Sequence, residues 1–115
     1  MAEEIYQQSL EIELSLREIP FSSKQTLSAF YKGSLLDARY RPDLIVYGGI
    51  VAELKAVSEL LSEHAAQLFN YMRIADQPVG YLINFGHKNE LQWKRFVVSL
   101  TKEEEKGTLI DADLH

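Results

Sequence analysis

The sequence predicts an α/β (α+β) domain with one central mixed β-sheet flanked by helices, its elements running α-β-β-β-α-β-β. Three observations carry that expectation. Two stretches, residues 3–19 and 62–75, are built from helix-forming residues with apolar positions three and four apart. Between and after them lie runs rich in β-branched and aromatic residues, punctuated by glycine and proline. The second helix is long enough to cross over and return the next strand parallel to the one before it.

The first helix is ambiguous by pattern alone. Leu10 to Leu16 alternates like a strand, whereas Ile5, Ser9, Ile12, Leu16 and Ile19 form a helical stripe; helix formers dominate and no proline appears before Pro20. Phe21 to Phe30 with Tyr31 then reads as one strand, Lys32-Gly33 as a turn, and Leu35 to Tyr47 as a long second strand. Tyr47-Gly48-Gly49 turns the chain into a third strand, Ile50 to Val57. Ser62 is the expected N-cap of the second helix, with Leu61, Ala65, Leu68, Phe69, Met72 and Ala75 as its core stripe. Residues 79–85 and 91–98 are two further strands, in which Trp93 and Phe96 read as packing residues. The acidic segment 99–115 is weakly patterned, with a short edge strand at Thr108 to Ile110. The domain is expected to span residues 1–98.

Composition narrows the function. The chain has 115 residues and no cysteine, which excludes disulfides and thiolate metal sites and fits a reducing, cytoplasmic setting. No apolar stretch is long enough to span a bilayer, so no membrane partner is expected. The net charge of −5 argues against a nucleic-acid binder when taken whole, but it is unevenly spread. Residues 1–20 hold five acids against Arg17, residues 99–115 hold five against Lys102 and Lys106, and residues 21–98 hold nine bases against seven acids.

The chemistry concentrates between Arg39 and Val57, where Asp43, Glu53 and Lys55 interrupt an otherwise apolar hairpin. Glu53 and Lys55 share a strand face because they are two apart. An odd loop, Tyr47 to Gly49, sets Asp43 opposite Glu53; a two-residue loop at Gly48-Gly49 pairs Asp43 with Leu54 and separates the carboxylates. The glycines permit both. Two carboxylates and an ammonium on one face suit Mg²⁺ or Mn²⁺ with a water aimed at phosphorus, whereas a solvated strand face is the plainer reading. Arg39 and Arg41 share the parity of Asp43 and are candidates for phosphate contact or for neutralising its charge. On the second helix, His64, Gln67, Tyr71 and Ile74 form a second stripe.

Pro42-Asp43, nine residues and then Glu53-Leu54-Lys55 resembles the PD-(D/E)XK nuclease superfamily. More narrowly the chain is similar to the small prokaryotic GxxExxY proteins. Glu3-Glu4-Ile5-Tyr6 supplies the last motif positions, the motif's glycine falling before Met1, and Tyr31-Lys32-Gly33, Arg41-Pro42-Asp43-Leu44, Glu53-Leu54-Lys55-Ala56-Val57, His64-Ala65-Ala66-Gln67-Leu68, Asn70-Tyr71 and Asn84-Phe85-Gly86 match in order. The resemblance implies a restriction-endonuclease-like core. It implies a metal site of Asp43, Glu53, the Leu54 carbonyl and Glu3, with Lys55 and Gln67 as further catalytic residues, and Tyr71 beside Arg39 and Arg41 on the substrate. The implied activity is Mg²⁺- or Mn²⁺-dependent hydrolysis of nucleic acid, DNA foremost. Two rivals remain open: a nuclease-fold module that binds nucleic acid or protein without turnover, and a structural oligomer subunit. A homodimer is compatible with all three.

Overall fold

The computed structural model describes residues 2–99 together with the strand 108–114. The elements are α1 (Ala2–Leu16), β1 (Phe21–Ser23), β2 (Leu27–Tyr31), β3 (Ser34–Tyr40), β4 (Leu44–Val46), β5 (Ile50–Lys55), α2 (Ser62–Ala75), β6 (Val79–Asn84), β7 (Gln92–Ser99) and β8 (Thr108–Leu114). Six strands form one sheet in the order β1-β4-β5-β6-β7-β8; among the described residues β2 and β3 pair only with each other. β5 and β6 are parallel and the other neighbours antiparallel, so the sheet is mixed, as the α2 crossover requires. Among the described residues no helix is long and apolar enough to cross a membrane.

Two expected strands are each divided. The first breaks after Ser23, where Lys24 adopts a positive φ of 52° and its N–H donates to the Asp43 carbonyl. The second breaks between Tyr40 and Leu44 at Arg41-Pro42-Asp43, because proline has no N–H for a ladder and Pro42 is itself buried. The outer halves, β2 and β3, make a separate hairpin, and the inner halves join the main sheet. Of the acidic segment, residues 100–107 and 115 lie outside the described residues, while the edge strand expected at Thr108–Ile110 is present as the longer β8.

α2 covers one face of the sheet: Leu68 and Met72 pack on Val51, Leu82, Phe96 and Val98, and the Phe69 ring meets Phe96 edge-on at 4.8 Å. The helix covers the expected residues, but its N-cap lies one residue before the expected Ser62. Leu61 is the N-cap, its carbonyl accepting the His64 N–H while its own N–H donates to His64 Nδ1. That assigns His64 to the helix terminus. At the other end Asp76 turns left-handed (φ 57°), its N–H closing on Arg73 and that of Gln77 on Met72.

α1 covers the opposite face with a different stripe from the expected one. Leu10 and Leu14 pack against Leu44, Ala52 and Leu54, and Gln7 is 3% exposed, whereas Ile5, Ile12 and Leu16 face outward. Inward Leu10 and Leu14 bury more area than the outward set because the sheet offers them apolar partners, and their partial burial contributes on the order of 1 kcal/mol per side chain.

Candidate active site

The β4–β5 ladder pairs Leu44 with Ala52, Ile45 with Val51 and Val46 with Ile50. Its loop is therefore Tyr47–Gly49, the odd alternative. Tyr47 and Gly48 both have positive φ (56° and 70°), and the Gly49 N–H closes on the Val46 carbonyl at 3.1 Å, the arrangement of a mirror-image hairpin turn with one extra residue. The left-handed conformation of Tyr47 costs about 1 kcal/mol, which the paired strands offset.

This register brings Asp43 and Glu53 together. The Asp43 N–H donates to Glu53 Oε2 (2.8 Å), and Asp43 Oδ2 accepts the Leu54 N–H (2.7 Å). Glu53 is 4% exposed. Burial first, and then the charge of Asp43, push the Glu53 carboxyl up to about 8. Burial also raises Asp43, against the Leu54 hydrogen bond. Two hard oxygen donors held close, with too little positive charge around them to keep both ionised, are a donor set that fits Mg²⁺ or Mn²⁺.

Lys55 leaves the same strand two residues on and donates from Nζ to Gln67 Oε1 on α2 (3.2 Å); Gln67 Nε2 lies 3.4 Å from the Tyr71 hydroxyl. Gln67 and Tyr71 thus stand on the side of α2 nearest the carboxylates, as their stripe requires. Burial raises the Tyr71 hydroxyl pKa, and the charges of Glu53 and Asp43 add to the effect.

Glu3 approaches from the first turn of α1. Its Oε2 accepts the Ala56 N–H at 3.3 Å, and it borders a cleft of about 520 Å³ with Asp43, Leu54, Gln7 and Lys24. Among the described residues no three of His, Cys, Asp and Glu converge closely enough to form an ion cage, so Glu3 stands at the rim beside the Asp43–Glu53 pair. Leu54 lines the cleft while its side chain is buried under α1.

The arginines are separated. Arg41 Nε donates to the Lys24 carbonyl (3.2 Å), next to the cleft, whereas Arg39 is exposed on β3 opposite Ser28. The break at Pro42 removes the single strand face on which Arg39, Arg41 and Asp43 were expected to line up.

Three residues to which the sequence assigned no role hold this arrangement. Gln7 Nε2 donates to the Asp43 carbonyl (3.0 Å) and also approaches Glu11, and Lys24 caps the same carbonyl through its backbone while its ammonium pairs with Glu4. Asn84, fully buried, accepts the N–H groups of Val57 and Gly86 and donates to the Val57 carbonyl and to Gln92, fixing the exit of β5 just past Lys55. A Cβ on Gly86 would lie 2.5 Å from the Val57 nitrogen, so this crossing requires glycine. Beside it the rings of Tyr6 and Phe85 stack at 4.6 Å, tying the start of α1 to the end of β6. The signal for Asn84 was its place in Asn84-Phe85-Gly86; Gln7 carried none beyond its position one residue past Tyr6.

Comparison with known proteins bears on the fold and the family. No curated protein matches the chain. The crystal structure of SSO0001 is similar with a TM-score of 0.65 at 19% identity, over 80% of this chain and 48% of that one. The chain thus spans about half of that neighbour, and the likeness speaks for the fold. A family model described as PD-(D/E)XK nuclease superfamily matches residues 1–96. The chain belongs to the PD-(D/E)XK nuclease superfamily.

Proposed function

We propose that this protein is a Mg²⁺- or Mn²⁺-dependent phosphodiesterase acting on nucleic acid, DNA foremost, and of the GxxExxY type. The observation that carries the reading is the odd β4–β5 register, with Asp43 and Glu53 interlocked through backbone hydrogen bonds and Lys55 held by Gln67. Asp43 and Glu53 would hold the ion, with the Leu54 carbonyl as a further oxygen donor and Glu3, at the rim, supporting its waters. When bound, the ion supplies Lewis-acid polarisation of a phosphoryl oxygen and lowers the pKa of a water. Lys55 orients that water and offsets negative charge developing on the phosphoryl oxygens, and Gln67 limits where its ammonium can swing. Tyr71 and Arg41 would take phosphates of the substrate. The narrower family assignment is supported by the way its scattered matches meet: Glu3 reaches Ala56, and Tyr6 stacks on Phe85.

A module without turnover draws support from one observation, the lack of a third ligand close to the pair among the described residues. Mg²⁺ commonly takes one or two carboxylates and completes its shell with waters and substrate phosphate, so a pair suffices. The deciding assay is cleavage of single- and double-stranded DNA by purified protein with Mg²⁺, Mn²⁺ or EDTA. Glu53→Gln and Lys55→Ala should stay folded and lose about a hundredfold or more of the metal-dependent rate. Cleavage that persists in both variants, or wild-type protein that binds the ion and cleaves nothing, would overturn the reading.

A further inference from the structure

The β2–β3 hairpin has no part in the site described above, and its surface is unusual for a strand pair standing outside the main sheet. Phe30 is 64% exposed, Tyr31 62% and Leu35 58%. Phe30 pairs directly with Leu35, and Ser28 with Arg39, so by alternation Phe30, Leu35 and Arg39 share one face. A register shift between these pairs leaves Leu36, Asp37 and Ala38 opposite Ala29 alone. The Lys32 ammonium lies 5.4 Å from the Tyr31 ring centre at the turn. The hairpin's root is tied to the candidate site, because Leu27 pairs with Tyr40 and the Tyr40 ring meets Tyr71 edge-on at 6.0 Å. From Tyr40 to Ser34 a strand rises about 20 Å, roughly six stacked base steps.

Charge selects the occupant. In a chain of net charge −5, the segment from Leu27 to Arg41 carries Lys32, Arg39 and Arg41 against Asp37 alone. Exposed rings interleaved with cations match a polyanion whose units are flat and apolar-faced; a protein partner gives no reason for that surplus. We infer that the β2–β3 hairpin is a nucleic-acid-binding arm on which Phe30 and Tyr31, on opposite faces near its tip, stack against unpaired bases of a strand that wraps the tip while Lys32 and Arg39 meet the backbone, guiding single-stranded or frayed nucleic acid toward Asp43 and Glu53. The arm rests on the nuclease reading for its destination, but its binding is measured without cleavage.

The test uses the full chain in a Glu53→Gln background and fluorescence anisotropy with an oligothymidine of about 20 nucleotides, beside a blunt duplex of the same length. Phe30→Ala and Tyr31→Ala should each weaken oligothymidine binding about tenfold and change duplex binding by less than about twofold. Phe30→Trp should keep the affinity, with its emission quenched on binding over the Trp93 background. Unchanged oligothymidine affinity in both alanine variants, or equal losses for both probes, would overturn the arm. A fall in molar mass from dimer to monomer with affinity unchanged would do the same and make the hairpin a contact between copies. Wild-type protein that cleaves nothing yet binds oligothymidine through Phe30 and Tyr31 sinks the nuclease reading and leaves the arm standing.

Discussion

The two hairpins are neighbours in the chain and opposites in the fold. β4–β5 is enclosed in a six-stranded sheet with α1 on one face and α2 on the other, and among the described residues β2–β3 pairs with no other strand. Leu44 is 1% exposed in the first and Leu35 is 58% exposed in the second, although both sat on what the sequence presented as one continuous strand. Pro42 divides them. The inner half carries acids whose solvation has been stripped away, and the outer half carries rings and cations left in water. A short run can thus supply a charge-hungry centre and a charged surface if a breaker lets its halves take different partners.

The sharpest way to break that contrast is to remove the same side chain from each half. Leu44→Ala deletes a side chain packed against Ala52 and Leu54, and should destabilise the protein by about 3 kcal/mol, on the order of 10 °C in Tm. Urea unfolding followed by circular dichroism measures it. A loss under about 1 kcal/mol would mean that the β4–β5 hairpin is not the centre of the fold.

A smaller effect should separate the halves by pH. Glu53 has its folded pKa raised from 4.5 to about 8, so its contribution to stability is fully present below about pH 4.5 and is lost as pH rises through 8. Metal-free wild-type protein should therefore lose Tm across that window. Glu53→Gln, which keeps an acceptor for the Asp43 N–H, should flatten much of the slope and leave the part due to Asp43. Mn²⁺ should raise the wild-type Tm more at pH 8 than at pH 6, since protons compete for the same carboxylates, and should do little for the variant. A metal-free Tm that rises toward pH 8 would contradict the burial of this pair.

The sequence was most legible where two constraints agreed. The second helix, the parallel return of β6 and the grouping of Gln67, Tyr71 and Lys55 follow from one stripe packing and the other facing the strand end. The β4–β5 register stayed open because Tyr47-Gly48-Gly49 fits either turn. What decides it is that Leu44 and Val46 must share a face with Ala52 and Leu54 under α1, a tertiary demand with a trace in the pattern. Pro42 was readable as a breaker, and extending one strand through it misplaced Arg39. The buried face of α1 was hidden because Gln7, a polar residue, belongs to it, its amide satisfied by the Asp43 carbonyl from a distant part of the chain.

The smallest effect lies at the outer hairpin. Leu35→Ala and Phe30→Ala remove side chains that are mostly in water and that lie across from each other, so little transfer free energy is lost and no cavity forms. Each should change stability by no more than about 0.5 kcal/mol, with the urea m-value unchanged. The double variant should be close to additive or slightly below, because either single change already removes the cross-strand contact. A loss above about 1 kcal/mol that grows with protein concentration would mean that a second copy covers these residues; one independent of concentration would mean that the hairpin packs on its own chain. In either case the contrast between a buried inner half and a solvated outer half would fail, and with it the reason for expecting Phe30 and Leu35 to be free for a ligand.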